Sequence, residues 1–234
     1  ADCPEISVVA GPAEALKAIA PSSCRPGQQA TLHLKFEDAW GNPTRDFSGD
    51  IQLSADPRLG LPRQLSYASD QTCVMAVPFT CPADGVYRID ASAEGMSATT
   101  NPVECTSRYA LRRFWGDLHG QSESTVGTNT VADYFAFARD KACVDFCSHQ
   151  GNDFQLRRED WAEIQREVRA RDEPGRFVAL LGYEWSGNIA GGGLPHRLLD
   201  ELEQCLATSP EERVEVTGPQ GDRVDAVRRN DLVD

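Results

Sequence analysis

The pattern of apolar residues changes near residue 105, and this change constrains the fold more than any other feature of the sequence. Before it, short runs alternate apolar with polar residues and are separated by turn residues such as Asp84-Gly85. These runs span 31–36, 50–54, 73–77 and 85–91. Alternation with a period of two predicts antiparallel strands that bury one face. We therefore predict an all-β sandwich domain over residues 1–105.

After Thr106 the sequence alternates between strands and helices. The candidate strands lie at the end of 111–118, at 142–147 and at 177–183. One candidate helix begins after Thr128 or Thr130, and a second runs from about 158 to 171, with Trp161, Ile164 and Val168 on one face. The order βαβαβ predicts three parallel strands, and a further helix is predicted at 222–230. We assign residues 106–234 to this α/β domain.

Three parallel strands are too few to close a barrel, which needs about seven or eight. The α/β domain is therefore expected to be incomplete, either because it is cut from a longer protein or because its second half has been lost. In the β domain, the stretch that begins at Pro26-Gly27-Gln28 and continues through Phe36-Glu-Asp-Ala-Trp-Gly-Asn-Pro43 resembles the opening strands of bacterial immunoglobulin-like modules.

The charge of the chain excludes two classes of partner. Thirty-six acidic residues against 23 basic ones give a formal net charge of −13. Such a surface repels nucleic-acid backbones and anionic lipid headgroups, so we expect no nucleic acid and no membrane as partner. No stretch approaches the ~20 apolar residues of a membrane span, and the N-terminus lacks the features of a signal peptide. We expect a soluble protein, and the compartment and oligomeric state stay open.

Eight cysteines are present, with no CxxC pair, so a zinc knuckle with four thiolates is not expected. Cys143 and Cys147 flank a strand-like run and are predicted to be buried thiols. Cys73 and Cys81 are candidates for a disulfide across a hairpin.

Imidazole and carboxylate groups follow the three predicted parallel strands. His119 follows the first strand, His149 the second and Glu184 the third, and His196 closes the glycine-rich loop that comes next. The carboxyl ends of parallel strands lie on one edge of a sheet, so these groups are expected to converge. Neutral imidazoles with a carboxylate suit Zn²⁺, Mn²⁺ or Fe²⁺, and Glu184 could bridge two ions. The number of ions stays open.

A metal ion at this edge would activate water at neutral pH, which predicts a hydrolytic reaction. Asp117 and Asp153 are candidates to orient the imidazoles or to act as further ligands. The nearest cations that could hold an anionic small-molecule substrate are Arg157, Arg158 and Arg197. The predicted catalytic residues are Glu184, Asp117 and Arg197. The predicted metal ligands are His119, Gln121, His149, Glu184 and His196.

Two motifs, Gly116-Asp-Leu-His-Gly-Gln-Ser122 and Gly182-Tyr-Glu-Trp-Ser186, resemble those of the polymerase-and-histidinol-phosphatase (PHP) superfamily. The sequence is most similar to a family within it that is known mainly as a domain of unknown function, and the resemblance covers about residues 113–200. It implies a distorted (β/α)₇ barrel with up to three metals that hydrolyses phosphate esters. His119 then matches the first histidine of an HxH pair, His149 and His196 match later histidines, and Glu184 matches the bridging carboxylate.

The sequence departs from that superfamily at three points. Gln121 stands where the second histidine of the pair is expected, and an amide binds metal more weakly than an imidazole. Ser148 stands where an aspartate often precedes the second-motif histidine. No histidine follows His196, so the later ligands are absent from this chain.

The leading functional hypothesis is a metal-dependent hydrolase of PHP type, a phosphoesterase that uses metal-activated water, preceded by an immunoglobulin-like domain. The alternative is a non-catalytic binding or scaffold protein with a degenerate, truncated PHP-like domain. A metal-dependent lyase or amide hydrolase is a third possibility, because the motifs specify ions rather than a substrate.

Overall fold

The structure is a computed structural model that describes residues 9–68, 73–108, 111–185, 215–217 and 223–225. The chain divides into two compact units, Ala1–Phe114 and Trp115–Asp234, which we call unit 1 and unit 2. The predicted domain boundary at 105 stays a prediction, as does the assignment of the first domain to the immunoglobulin-like class.

The described part of unit 1 is built from β-strands. In chain order the strands are β1 (Ala15–Ile19), β2 (Ser23–Cys24), β3 (Gln29–Glu37), β4 (Ser48–Ala55), β5 (Gln64–Ala68), β6 (Val74–Thr80), β7 (Gly85–Tyr87), β8 (Ile89–Ala93), β9 (Met96–Thr99) and β10 (Val103–Cys105). They form three sheets with the strand orders β1-β3-β6, β2-β10-β7 and β5-β4-β8-β9. One 3₁₀ turn, Pro57–Leu59, lies between β4 and β5.

The core of unit 1 follows from the alternation seen in the sequence. In β3 the side chains of Leu32, Leu34 and Phe36 are fully buried. The ring of Phe36 stacks on that of Phe47 with centroids 3.8 Å apart and meets Tyr67 edge-on at 5.0 Å. Burying side chains of this size stabilises a fold by roughly 1.5–3 kcal/mol each, so these rings account for much of the stability of the unit.

The run 85–91, predicted as one strand, is two strands in different sheets. Gly85–Tyr87 pairs antiparallel with β10, whereas Ile89–Ala93 pairs with β4 and β9. The chain leaves one sheet and enters the other at Arg88. Alternation alone cannot locate such a crossing, because both segments keep the period of two.

Unit 2 contains a three-stranded parallel sheet of the order β11-β12-β13. The strands are β11 (Gly116–Gly120), β12 (Phe146–His149) and β13 (Val178–Leu181). Two helices connect them, α1 (Val131–Phe137), which continues into a π-helical turn at Ala138–Ala142, and α2 (Arg158–Arg171). The predicted parallel order is therefore confirmed by the pairing of these strands.

The helices of unit 2 begin and end where their sequence signals indicate. The Oγ1 atom of Thr130 accepts a hydrogen bond from the backbone N–H of Asp133, so Thr130 rather than Thr128 caps α1. Helix α2 spans the predicted residues and buries Trp161 and Ile164 against the sheet. Neither helix in the described part of the chain is long and apolar enough to cross a membrane.

The predicted fold class, which included a partial (β/α) barrel, is wrong. In the described residues, β11 and β13 each pair on one side only, so the parallel sheet is open, and β-strands outnumber the two short helices. Without further strands the ends of such a sheet cannot meet, because closure requires more strands with the appropriate tilt. The predicted helix at 222–230 is also not supported where it can be compared, since Arg223–Asp225 (β15) pairs as a strand with Glu215–Thr217 (β14).

Candidate functional site

The carboxyl edge of the parallel sheet of unit 2 brings several predicted site residues together. Gly120 at the end of β11 is opposite His149 in β12, and His149 is opposite Leu181 in β13. Beyond the sheet, a parallel bridge between Asn152 and Glu184 continues the pairing. The backbone N–H of Glu184 donates to the carbonyl of Gly151, and the N–H of Asp153 donates to the carbonyl of Glu184. These bonds fix the backbone from which the Glu184 side chain projects.

Glu184 contacts two of the predicted metal ligands. Its Oε2 atom accepts a hydrogen bond of 3.0 Å from Nε2 of Gln121 and lies 3.8 Å from Nε2 of His119. The His119 side chain is 74% exposed and that of Glu184 36%, so water weakens the electrostatic interaction between them. An imidazole nitrogen and a carboxylate oxygen at this separation could share one cation after a small adjustment.

Gln121 joins two neighbouring side chains through its amide group. Its Nε2 donates to Glu184, and its Oε1 accepts a hydrogen bond from the hydroxyl of Thr125. The second lone pair of Oε1 is not used by this hydrogen bond, so the role of Gln121 as a metal ligand stays a prediction.

His149 is buried and separate from the pair formed by His119 and Glu184. Its Nε2 lies 2.9 Å from Oγ of Ser122, and its side chain is fully enclosed. Its Nδ1 has no hydrogen-bond partner among the described residues. Burial lowers the pKa of His149 to about 4, because desolvation penalises the charged imidazolium. His149 is therefore neutral at physiological pH.

Asp117 shapes the irregular strand β11. Its Oδ1 accepts a hydrogen bond of 2.9 Å from the backbone N–H of His119, and its Oδ2 accepts one of 3.3 Å from the hydroxyl of Tyr134. The same hydroxyl contacts the carbonyl of Ser148 at 3.1 Å. Burial raises the pKa of Tyr134, so this hydroxyl keeps its proton and acts as a donor. Asp117 therefore orients backbone and not the imidazole ring of His119.

The other predicted site residues include Arg157, His196 and Arg197. Arg157 precedes helix α2 and donates its backbone N–H to the Asp160 carboxylate. His196 and Arg197 lie outside the described residues. Among the described residues of this edge, no three His, Cys, Asp or Glu side chains have ligand atoms that all lie within 4.8 Å of one another. In the described residues, this edge therefore brings Glu184 close to two other predicted ligands, Gln121 and His119.

A second candidate site, which sequence reasoning missed, is a cavity of about 330 Å³ in unit 1. Its wall includes Ser23 and Cys24 from β2, Glu104 from β10, and three arginines. The arginines are Arg25, Arg112 and Arg113. The one signal in the sequence is the Arg112-Arg113 pair in a strongly acidic chain, and it does not reveal that β2 lies beside it.

Hydrogen bonds to β2 position two of these arginines. Nη2 of Arg112 donates to the carbonyl of Ser23 at 2.9 Å, and the backbone N–H of Arg113 donates to Oγ of Ser23 at 3.0 Å. The Arg112 guanidinium also lies over the ring of Phe114, with Cζ 5.7 Å from its centroid. The Arg113 guanidinium forms an ion pair with Glu104. The cavity wall thus contains one guanidinium group that is hydrogen-bonded to the backbone, that of Arg112, and one that forms an ion pair, that of Arg113.

The comparisons with known proteins point to a family without an assigned activity. A family model described as "Protein of unknown function (DUF3604)" matches residues 91–211. An uncharacterized protein of Chlamydia muridarum (strain MoPn / Nigg) is 27% identical over 192 residues, which cover 79% of this chain and 31% of that protein. An uncharacterized protein of Chlamydia trachomatis serovar D has the same identity and coverage. The chain therefore spans about a third of the length of these relatives.

Similar solved structures include domains of an S-layer protein and a CARDB domain. Domains 4 and 5 of the S-layer protein SbsC align with a TM-score of 0.29 and 18% identity, over 41% of this chain and 53% of that one. The CARDB domain of the PF1109 protein from Pyrococcus furiosus aligns with a TM-score of 0.27 and 15% identity, over 39% of this chain and 90% of that one. At these scores neither likeness defines the fold.

These findings correct the predicted identity. The expectation of a family of unknown function agrees with the match, but the matches reported above do not name the PHP superfamily. In the described residues the parallel sheet is open, whereas such membership implies a barrel. The prediction of PHP membership is therefore wrong. The prediction of a PHP-type hydrolase that acts on phosphate esters is also wrong, because that substrate class was implied only by the PHP resemblance.

Proposed function

The chain belongs to the DUF3604 family of proteins of unknown function, and we propose that it is a non-catalytic binding protein whose unit 1 cavity takes a small anionic molecule. The observation that carries this proposal is the cavity itself, in which three arginines face one glutamate. Part of the cavity wall lies in the region that the family model matches, because Glu104, Arg112 and Arg113 fall within residues 91–211.

The cavity wall and the whole chain carry net charges of opposite sign. The protein as a whole carries a formal charge of −13, whereas the lining side chains carry a net positive charge. A basic cavity in an acidic protein attracts anions only at short range, because ionic screening acts over about 8–10 Å at physiological salt. A small anion fits this requirement better than an extended polyanion, which the rest of the surface repels.

The size of the cavity and the chemistry of its wall favour a small molecule. About 330 Å³ is near the lower end of the range for small-ligand pockets. Guanidinium groups bind carboxylate or phosphate oxygens through paired N–H donors, and here Ser23 holds the backbone of Arg113 and the guanidinium of Arg112 in place. These contacts order the two arginines before a ligand binds, so less conformational entropy is lost on binding.

The contacts of the predicted metal ligands agree with a binding role. Among the described residues, Oε2 of Glu184 lies 3.0 Å from Nε2 of Gln121 and 3.8 Å from Nε2 of His119. Gln121 is engaged on both sides of its amide, and His149 is enclosed and bonded to Ser122. A binding role requires none of these groups to act on a substrate.

Calorimetric titration with inorganic phosphate and with citrate tests the proposal. We expect saturable binding with a stoichiometry near one, and an at least tenfold weaker affinity for the double variant Arg25→Gln/Arg113→Gln. The matched control is Arg63→Gln, which removes an exposed arginine of the same unit from outside the cavity. If the double variant and the control bind both anions as tightly as the wild type does, the cavity is not the binding site.

We further propose that a divalent cation, Zn²⁺, Mn²⁺ or Fe²⁺, binds weakly at His119 and Glu184. The separation of 3.8 Å between Nε2 and Oε2 supports this, since an imidazole and a carboxylate are suitable ligands for such ions. With two protein ligands, water would complete the coordination, so the expected affinity is low.

Titration with Mn²⁺, followed by the relaxation of water protons, tests the cation site. Glu184→Gln should weaken binding about tenfold. Glu163→Gln is a matched control, because the Glu163 side chain is 38% exposed against 36% for Glu184. Equal binding by both variants would remove the role of Glu184.

A further inference from the structure

Three cysteines of unit 1 form a cluster of sulfur atoms. The Sγ atoms of Cys24, Cys81 and Cys105 all lie within 4.8 Å of one another, and each residue is at least 98% buried. Cys24 and Cys81 are joined in a disulfide, whereas Cys105 is a thiol. Cys73 and Cys81, which the sequence offers as candidates for a disulfide, are not joined, because Cys81 is bonded to a residue 57 positions earlier.

The fold holds all three cysteines by backbone pairing. Strand β2 pairs in parallel with β10, and in this register Cys24 is the direct partner of Cys105. Cys81 directly follows β6. Its N–H donates to the carbonyl of Gln28 at 3.2 Å, and its carbonyl accepts from the N–H of Gly27 at 2.8 Å. Sγ of Cys24 therefore has two sulfur neighbours: it is bonded to that of Cys81, and that of its strand partner Cys105 lies within 4.8 Å.

We propose that Cys24, Cys81 and Cys105 form an intramolecular thiol–disulfide exchange site, in which Cys24 bonds either to Cys81 or to Cys105. The thiolate of Cys105 attacks Sγ of Cys24, the bond between Cys24 and Cys105 forms, and the bond between Cys24 and Cys81 breaks. Cys81 leaves as a thiolate and takes up the proton that Cys105 released. One disulfide and one thiol are present before and after, so the step consumes no oxidant or reductant.

The surroundings of Cys105 agree with a resting thiol beside an intact disulfide. Burial raises the pKa of the Cys105 thiol, and the nearby Asp84 carboxylate adds to this effect. The backbone N–H of Ser107 binds Asp84 at 3.0 Å and fixes that carboxylate. The thiol is therefore mostly protonated, and the exchange waits for its deprotonation.

Disulfide mapping of the full chain tests this proposal. The protein is equilibrated in a buffer of reduced and oxidised glutathione, quenched with acid, alkylated and digested, and linked peptides are identified by mass spectrometry. Trypsin places Cys24 on 18–35 and Cys105 on 89–108, but leaves Cys73 and Cys81 together on 64–88. Added chymotrypsin cleaves after Phe79 and separates those two cysteines.

In the wild type we expect two linked species, Cys24 with Cys81 and Cys24 with Cys105. Cys81→Ala should form only the second link, and Cys105→Ala only the first. Cys73 is an internal control, because it is a buried thiol of the same unit outside the cluster. It should appear in neither link, which distinguishes exchange in the folded state from scrambling in unfolded chains.

Two results would overturn the proposal. One is a Cys81→Ala protein that folds but carries Cys24 and Cys105 as alkylated thiols in a buffer in which Cys105→Ala keeps its disulfide. The other is a wild type with only the link between Cys24 and Cys81, a result that decides the matter even if the Cys81→Ala variant does not fold.

Discussion

Gln121 and Glu184 stand 63 residues apart in the sequence, and the Nε2 of the first donates a hydrogen bond of 3.0 Å to the Oε2 of the second. This bond joins the segment after β11 to the segment after β13 across the edge of the parallel sheet. At this edge a hydrogen bond therefore joins the two segments, and the side chains of His119 and Glu184 lie close to each other.

Replacement of this amide by an imidazole should strengthen cation binding, if the proposed cation site is correct. Gln121→His would place a nitrogen ligand beside Glu184 and His119, and we expect Mn²⁺ or Zn²⁺ to bind about tenfold more tightly, which corresponds to ~1.4 kcal/mol. Calorimetric titration measures the change. Gln155→His, in an exposed loop of the same unit, is the control and should leave the affinity as in the wild type. An unchanged affinity in Gln121→His would show that the three side chains do not share an ion.

Removal of the single acidic side chain from the unit 1 cavity should favour anions. Glu104 pairs with Arg113, so Glu104→Gln both removes a negative charge and releases a guanidinium. We expect phosphate to bind about fivefold more tightly, or ~1 kcal/mol, a typical effect of one charge several ångströms away in partly screened surroundings. Glu94→Gln makes the same charge change outside the cavity and should have a much smaller effect. Weaker phosphate binding by Glu104→Gln would contradict an anion-binding cavity.

His149 should make unit 2 less stable as the pH falls. Its pKa is about 4 in the folded protein against 6.5 for an ordinary histidine, so the unfolded chain binds a proton that the folded one does not. The loss begins as the pH falls below about 6.5 and is complete below about 4, with an upper size of ~3 kcal/mol. Urea unfolding at pH 7, 5.5 and 4.5 measures it. His149→Gln should show a flatter pH dependence than the wild type, and parallel curves would mean that His149 protonates equally in both states.

Gly120 should tolerate no side chain. A Cβ atom at this position would lie 2.0 Å from Cζ of Tyr134, whose hydroxyl is held by Asp117 and Ser148. Because the ring cannot move without breaking these bonds, Gly120→Ala should lower the free energy of unfolding of unit 2 by about 1–3 kcal/mol. Gly11→Ala is the contrasting variant, since its Cβ would meet neighbours at an ordinary 3.6 Å. Chemical denaturation followed by circular dichroism compares the two, and a loss no larger at Gly120 than at Gly11 would contradict the clash.

Local patterns in the sequence were sufficient for helices α1 and α2 and for the order of the parallel strands, but not for the helix predicted at 222–230. Helix α2 agrees with its predicted bounds because its apolar stripe, acidic first turn and basic last turn all lie within the helix itself. Strand β11 begins at Gly116 and so overlaps the end of 111–118, where the strand was predicted. The convergence of His119 and Glu184 followed from parallel topology alone.

The features that sequence reasoning missed depend on pairings between distant segments. The disulfide partner of Cys81 is set by the backbone pairing of Cys81 with residues 27–28, which follow β2, and no local motif encodes this pairing. The cavity combines residues 23–25 with residues 104–113 for the same reason. His149 was expected to share a site with His119, but the side chain is turned into the interior and bonded to Ser122. Strand-end position predicts which edge a residue occupies, and it does not predict which way its side chain points.

The two proposed disulfide isomers of Cys24 close loops of similar length and therefore have nearly equal chain entropy. The bond to Cys81 closes a loop over 57 positions, and a bond to Cys105 would close one over 81. In the loop-closure model this difference amounts to about 0.3 kcal/mol, which is less than the thermal energy. The ratio of the isomers would then be set by the packing around the two-residue strand β2, so that a substitution as small as one methyl group beside Ser23 could invert it.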